Sequence, residues 1–104
     1  YAQFSTEMRS GKIIKIDDGF TKLLGYTEDD VKNGLVFKQF VPDLEYSEII
    51  AELREQFIEK KYACYRHEVV SKTGEIRMIV AFFTIQNKLS VADITDYTHF
   101  PETK

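Results

Sequence analysis

Hydrophobic and polar positions along this chain change their period several times, and each change predicts an element. Lys12-Ile13-Ile14-Lys15-Ile16-Asp17 is a short run rich in β-branched residues that stops at Asp17-Asp18-Gly19, which predicts a strand ending in a turn. Gln3 to Met8 predicts another short strand before it, joined through Ser10-Gly11. From Phe20 the spacing becomes helical, with Phe20, Leu23 and Leu24 at i, i+3, i+4 and Gly25 as the C-cap. Thr27-Glu28-Asp29-Asp30 has the form of a capping box, and Asn33-Gly34 closes the short helix it opens. Phe37 to Val41 is a short apolar segment stopped by Pro42-Asp43.

The clearest helix follows, over about Leu44 to Lys60. Tyr46, Ile49, Ile50, Leu53 and Phe57 form one apolar stripe, while Glu45, Glu48, Glu52, Glu55 and Glu59 occupy the other faces. Alternation then returns. Tyr62 to Ser71 predicts a strand, Lys72-Thr73-Gly74-Glu75 a hairpin turn, Ile76 to Gln86 a long strand, and Asn87-Lys88 a second turn into Leu89 to Ile94. Hairpin strands pair antiparallel, so the fold class is α+β: a five-stranded antiparallel sheet with short helices and one longer helix packed on one face.

Composition narrows the function classes. A length of 104 residues suits a single domain with its own core. The net charge of −3 argues against a nucleic-acid partner, which needs clustered Lys and Arg; Lys60, Lys61 and Arg66 read as a solvated face. No apolar run has the length of a membrane span, and a single cysteine, Cys64, allows no internal disulfide, which together give a cytoplasmic expectation. The chain begins at Tyr1 rather than Met and so reads as a piece of a longer protein. Residues 1–97 are expected to form the domain and 98–104 a tail leading toward a downstream effector. His99, in that tail, has no identifiable partner.

The order and spacing of these elements resemble the PAS family over nearly the whole chain. Gly11-Lys12-Ile13-Ile14 through Asp17 and Phe20 is similar to the family's first strand and turn, with Asp17 where the family often has Asn. Gly25-Tyr26-Thr27-Glu28-Asp29-Asp30-Val31 resembles its Gly-Tyr-Ser/Thr-x-x-Glu-Leu element, and Pro42-Asp43 the pair before its long helix. Lys72-Thr73-Gly74 matches a Lys-Asp-Gly hairpin, with Thr for Asp, and Asp93-Ile94-Thr95 the usual C-terminal Asp-Ile-Thr. The connection Asn87-Lys88 is shorter than is usual in the family.

What the resemblance implies is a sensory or regulatory domain of a larger signalling protein, of the histidine kinase or diguanylate cyclase type. A small ligand would sit between the sheet and the long helix, lined by Phe37, Phe40, Ile50, Leu53, Phe57, His67, Val69, Ile79 and Ala81. Asp93, Ile94 and Thr95 would pass its effect onward. The cofactor remains unknown. Val36 stands where flavin photosensors carry their reactive thiol, and the long helix has no His to ligate haem, so a photoadduct flavin and a His-ligated haem are both argued against. The tryptophan that often accompanies flavin-adenine binding in the family is also missing, since the chain has no Trp, and Cys64 lies on the wrong segment for a thioester-linked chromophore. Asp30 and Lys72 would form a surface salt bridge.

Other residues are read from their positions alone. His67 shares parity with Tyr65 and Val69, facing the helices, and is either a ligand partner or a core histidine satisfied by a neighbour. Arg77 is another pocket candidate; it implies a carboxylate ligand or a nearby Glu if it points inward, and otherwise reaches solvent at the sheet margin. Met78, Val80 and Phe82 form an apolar row on the far face of the long strand, where a homodimer contact or a flanking helix would cover them. No catalytic or metal site can be assembled from the chain's 2 His and 1 Cys. Two further readings stay open: a ligand-free dimerisation module with a filled core, and a small α+β enzyme using His67 with a Glu.

Overall fold

In the computed structural model, which describes residues 2–96, every expected element is present. Tyr1, Tyr97 and the expected tail with His99 lie outside the described residues. The chain runs through β1 (Ala2–Glu7), β2 (Ile13–Ile16), α1 (Asp18–Leu24), α2 (Glu28–Lys32), a 3-10 turn (Phe37–Phe40), α3 (Asp43–Glu59), β3 (Tyr62–Val70), β4 (Ile76–Gln86) and β5 (Leu89–Asp96). The five strands form one antiparallel sheet in the order β2-β1-β5-β4-β3. The expected α+β architecture is thus the observed one.

Departures from the sequence expectations are at the ends of elements. The long helix begins at Asp43 and ends at Glu59, one residue earlier at each end than expected. The last strand continues two residues beyond Ile94 to Asp96, because Thr95 and Asp96 still pair with Val80 and Ile79 of β4 after the pairing with β1 has ended at Ile94. The short Asn87-Lys88 connection leaves β4 and β5 in register up to the turn, where Gln86 faces Leu89. Both turn residues take positive φ, 52° and 68°, as a two-residue turn matched to strand twist requires.

Local chemistry fixes the entry of the first helix. Asp17 Oδ1 accepts from the Phe20 amide at 2.8 Å, the N-cap bond, and from the Gln3 amide at 3.0 Å. One carboxylate therefore ties α1 to β1. Gly25 ends that helix at φ 83°, in the left-handed region where a side chain would be strained. Thr27 and Asp30 form the expected capping box at the start of α2.

Helices cover one face of the sheet, and the core lies between them. Phe4 of β1 is its centre, with ring centroids 5.4 Å from Phe20, 5.9 Å from Phe37, 5.2 Å from Phe40 and 6.4 Å from Phe83. On α3 only Ile49 is fully buried; Tyr46, Ile50, Leu53 and Phe57 pack on the core from its edge. At the open side of β3, the Gln56 carboxamide accepts from the Cys64 amide at 2.8 Å and donates to the Cys64 carbonyl at 3.0 Å.

Asp17→Ala removes a cap and an interstrand bond together and is expected to destabilise the domain by about 1–2 kcal/mol, read from urea unfolding. Lys88→Gly relieves a left-handed lysine and is expected to raise stability by about 0.5–1 kcal/mol in the same measurement; a loss would show that the turn geometry is not the limiting strain.

Candidate functional site

The apolar stripe of α3 does not close completely on the sheet. Between the two lies a cavity of about 180 Å³. Phe37, Ile50, Leu53 and Phe57, all expected from the sequence, line it, together with Tyr46 and Phe83. Its remaining wall comes from Thr6 of β1, from the β1–β2 turn (Met8, Arg9 and Gly11), from Ser90 of β5 and from Arg54 of α3. The turn and strand-end residues escaped the sequence reading because periodicity carries no signal there, and Arg54 because it lies off the apolar stripe of α3. Thr6 and Phe83 share β-strand parity with the core, which was the one available clue.

Other expected pocket residues are packed into the core instead. Phe40, Val69, Ile79 and Ala81 are each no more than 1% exposed, and none belongs to the wall of this cavity. The aromatic cluster around Phe4 and Phe40 fills the space beside them.

His67 is buried on β3 opposite Ile79, facing the helices as its parity predicts. Its Nδ1 lies 2.9 Å from the Glu68 carbonyl oxygen, which can only accept, so Nδ1 carries the proton. Nε2 is buried with no hydrogen-bond partner. Burial holds the imidazole below its ordinary pKa, because a proton on Nε2 would place an unpaired charge in the core; the Glu68 carbonyl opposes this more weakly. The Tyr65 ring is the aromatic neighbour, at 5.8 Å. His67 thus bonds a backbone carbonyl and not a Glu side chain, so the acid–base pair that a small enzyme would need is not formed.

Arg77 sits at the sheet margin, away from the α3 cavity. It lines a separate, open trough with Lys22, Ile94, Thr95 and Asp96. Its guanidinium reaches Glu75 at 2.8 Å and Asp96 at 3.3 Å, so the carboxylates its charge requires come from the chain itself. The Lys72–Asp30 bridge is present, with Nζ 2.9 and 3.0 Å from the two carboxylate oxygens. The Thr27 amide, then Lys72, lowers the Asp30 pKa.

On the opposite face of the sheet, Met78 and Val80 are half-buried and Phe82 is 41% exposed. Tyr62, across the strand pair, stacks on Phe82 at 5.5 Å and is 45% exposed. In the Asp-Ile-Thr segment of β5, Asp93 and Thr95 are exposed whereas Ile94 is 1% exposed in the core. Asp93 accepts from Gln3 Nε2 at 2.8 Å.

No family model matches the sequence, and no curated protein does. Solved structures do match. The PAS domain of a protein from Colwellia psychrerythraea superposes with a TM-score of 0.83 at 17% identity, over 93% of this chain and 86% of that one. The chain has the PAS fold. Other PAS-type structures agree with it. A domain of a sensory box sensor histidine kinase/response regulator from Geobacter sulfurreducens gives 0.70 at 13% identity, over 89% of this chain and 79% of that one. The RsLOV d2 variant gives 0.79 at 16% identity, and this chain spans 97% of itself but 61% of that one. On the PAS fold, the α3 cavity lies on the helix-covered face, and the Phe82–Tyr62 surface lies on the uncovered one.

The burial of His67 sets a pH dependence. Its folded pKa is below the unfolded value of about 6.5, so the unfolded chain takes up a proton first as pH falls. Stability is therefore expected to decline as pH drops from about 6.5 toward the folded pKa. His67→Leu should show a shallower decline over that range in paired urea titrations; parallel profiles would contradict the assignment.

Proposed function

We propose that this PAS domain is a non-catalytic regulatory module of a larger signalling protein, and that its uncovered sheet face is the surface through which it acts. The observation that supports this reading is the apolar row Met78, Val80 and Phe82, extended by Tyr62, on the face that no helix covers. Burying such side chains is favourable by about 25 cal/mol per Å² of apolar surface, and contiguous patches of this kind mark contact surfaces. A second copy of the domain is the partner we assign to it. A parent of histidine kinase type is supported by neighbours described as parts of sensor histidine kinases, and a diguanylate cyclase parent is the other output class.

The route of relay is β5. It pairs with both β1 and β4, and its Asp93, Ile94 and Thr95 alternate between faces, so a displacement at Ile94 in the core moves Asp93 and Thr95 on the other side. The α3 cavity is the place where a small ligand would start that displacement. The residues do not suit a thiol-adduct flavin or a His-ligated haem. Val36 caps the 3-10 turn where the thiol would be needed, α3 carries no His, and Cys64 is exposed on the other face of β3. The packing of Phe40, Ile79 and Ala81 confines such a ligand to the outer part of the α3–sheet interface, and a ligand-free module is the alternative that this filled inner part supports.

Sedimentation velocity tests the surface. The wild-type domain is expected to self-associate reversibly, and Phe82→Glu to weaken association roughly thirtyfold, as loss of an aromatic hot spot of about 2 kcal/mol implies. An unchanged association constant in a folded Phe82→Glu variant would remove this face from the interface.

A further inference from the structure

The chemistry of the α3 cavity is one-sided. Its walls are aromatic and aliphatic, its hydroxyls belong to Thr6, Tyr46 and Ser90, and its charged side chains are Arg9 and Arg54. No carboxylate lines it. A cavity with these walls and only cationic charges favours a ligand with an apolar body and an anionic end.

Both arginines are available to such a ligand. Arg54 is the only cation on α3, a helix otherwise rich in Glu, yet its neighbours at the helical spacing of three and four residues are Ile50, Ala51, Phe57 and Ile58. It therefore has no carboxylate at ion-pair spacing. Arg9, on the β1–β2 turn, follows Glu7, whose carboxylate accepts from the Ser10 hydroxyl at 2.6 Å. Neither Arg9 nor Arg54 belongs to the ion pairs described for Lys72 and Arg77. Both are exposed, which places them at the solvent side of the cavity, with Leu53 and Phe57 deeper.

Volume sets the size of the body. An apolar cavity of about 150 Å³ accepts benzene, and this one holds about 180 Å³. We propose that the cavity binds a small monocarboxylate with an aromatic or branched aliphatic body, its carboxylate held at the mouth by Arg9 and Arg54 and its body against Phe37, Leu53 and Phe57. This rests on the reading of the cavity as the ligand site and adds the class of ligand to it. The two guanidiniums come from different elements, the β1–β2 turn and α3, so a bridging carboxylate draws helix and sheet together. That provides the displacement a relay through β5 requires.

Amide chemical-shift titrations on the intact 104-residue chain test this with matched pairs of probes: benzoate against benzamide, and isovalerate against isovaleramide. The expected result is saturable shifts at Leu53, Phe57 and Ser90, with at least one acid bound about tenfold more tightly than its amide. That preference is expected to disappear in Arg54→Gln and weaken in Arg9→Gln, both surface changes that leave the core intact. Equal binding of acids and amides at these residues would overturn the anionic class while leaving the cavity as a ligand site. No saturable shift with any of the four probes would overturn both.

Discussion

The fold depends on Phe4. Its ring meets Phe20 of α1, Phe37 and Phe40 of the 3-10 turn and Phe83 of β4, so one side chain joins the first strand, the helical connection and the longest strand. Aromatic pairs prefer tilted and edge-to-face arrangements, and the T-shaped contacts with Phe40 and Phe83 satisfy that preference at 5.2 and 6.4 Å. The cluster has two consequences. It fills the inner half of the space between helices and sheet, and it confines the remaining cavity to the outer half, beneath α3.

This division gives the two faces of one sheet different chemistry. The helix-covered face holds packing and a small opening with basic groups at its rim; the opposite face holds the apolar row of Val80 and Phe82 with Tyr62, which none of the described helices covers. The connection between them is short, since a strand residue and its neighbour project to opposite sides. Ile94 and Asp93 are such a pair. His67 belongs to the packing: its Nδ1–H is bonded to a carbonyl, burial holds its pKa below the ordinary value, and the ring is sealed beneath the helices.

Much of the fold was legible in the residues because each element has a local cause. The Phe20-Leu23-Leu24 spacing, the Thr27–Asp30 box, Gly25 and the Lys72–Gly74 turn all act within a few residues of themselves, and all appear where the pattern predicts. The cavity was only partly legible. Parity identified the core face of β3 and β4 but not how tightly it packs, so Val69, Ile79 and Ala81 seemed as open as Leu53. Arg77 needs a carboxylate, and a nearby Glu, Glu75, was within reach of the sequence, but only pairing register could show that Asp96 is the second. Arg9 lies in a turn, and only the folded chain brings it to the same opening as Arg54.

One contact at the margin bears on whether a further strand can add to the sheet. β3 ends the sheet, and an open strand of alternating apolar residues is a template for a further strand from another molecule. The Gln56 carboxamide offers the Cys64 backbone both an acceptor and a donor, as a peptide group from an added strand would. A side chain thus imitates a neighbouring backbone and occupies the docking position itself. Growth of the sheet past β3 would have to displace a glutamine held on α3.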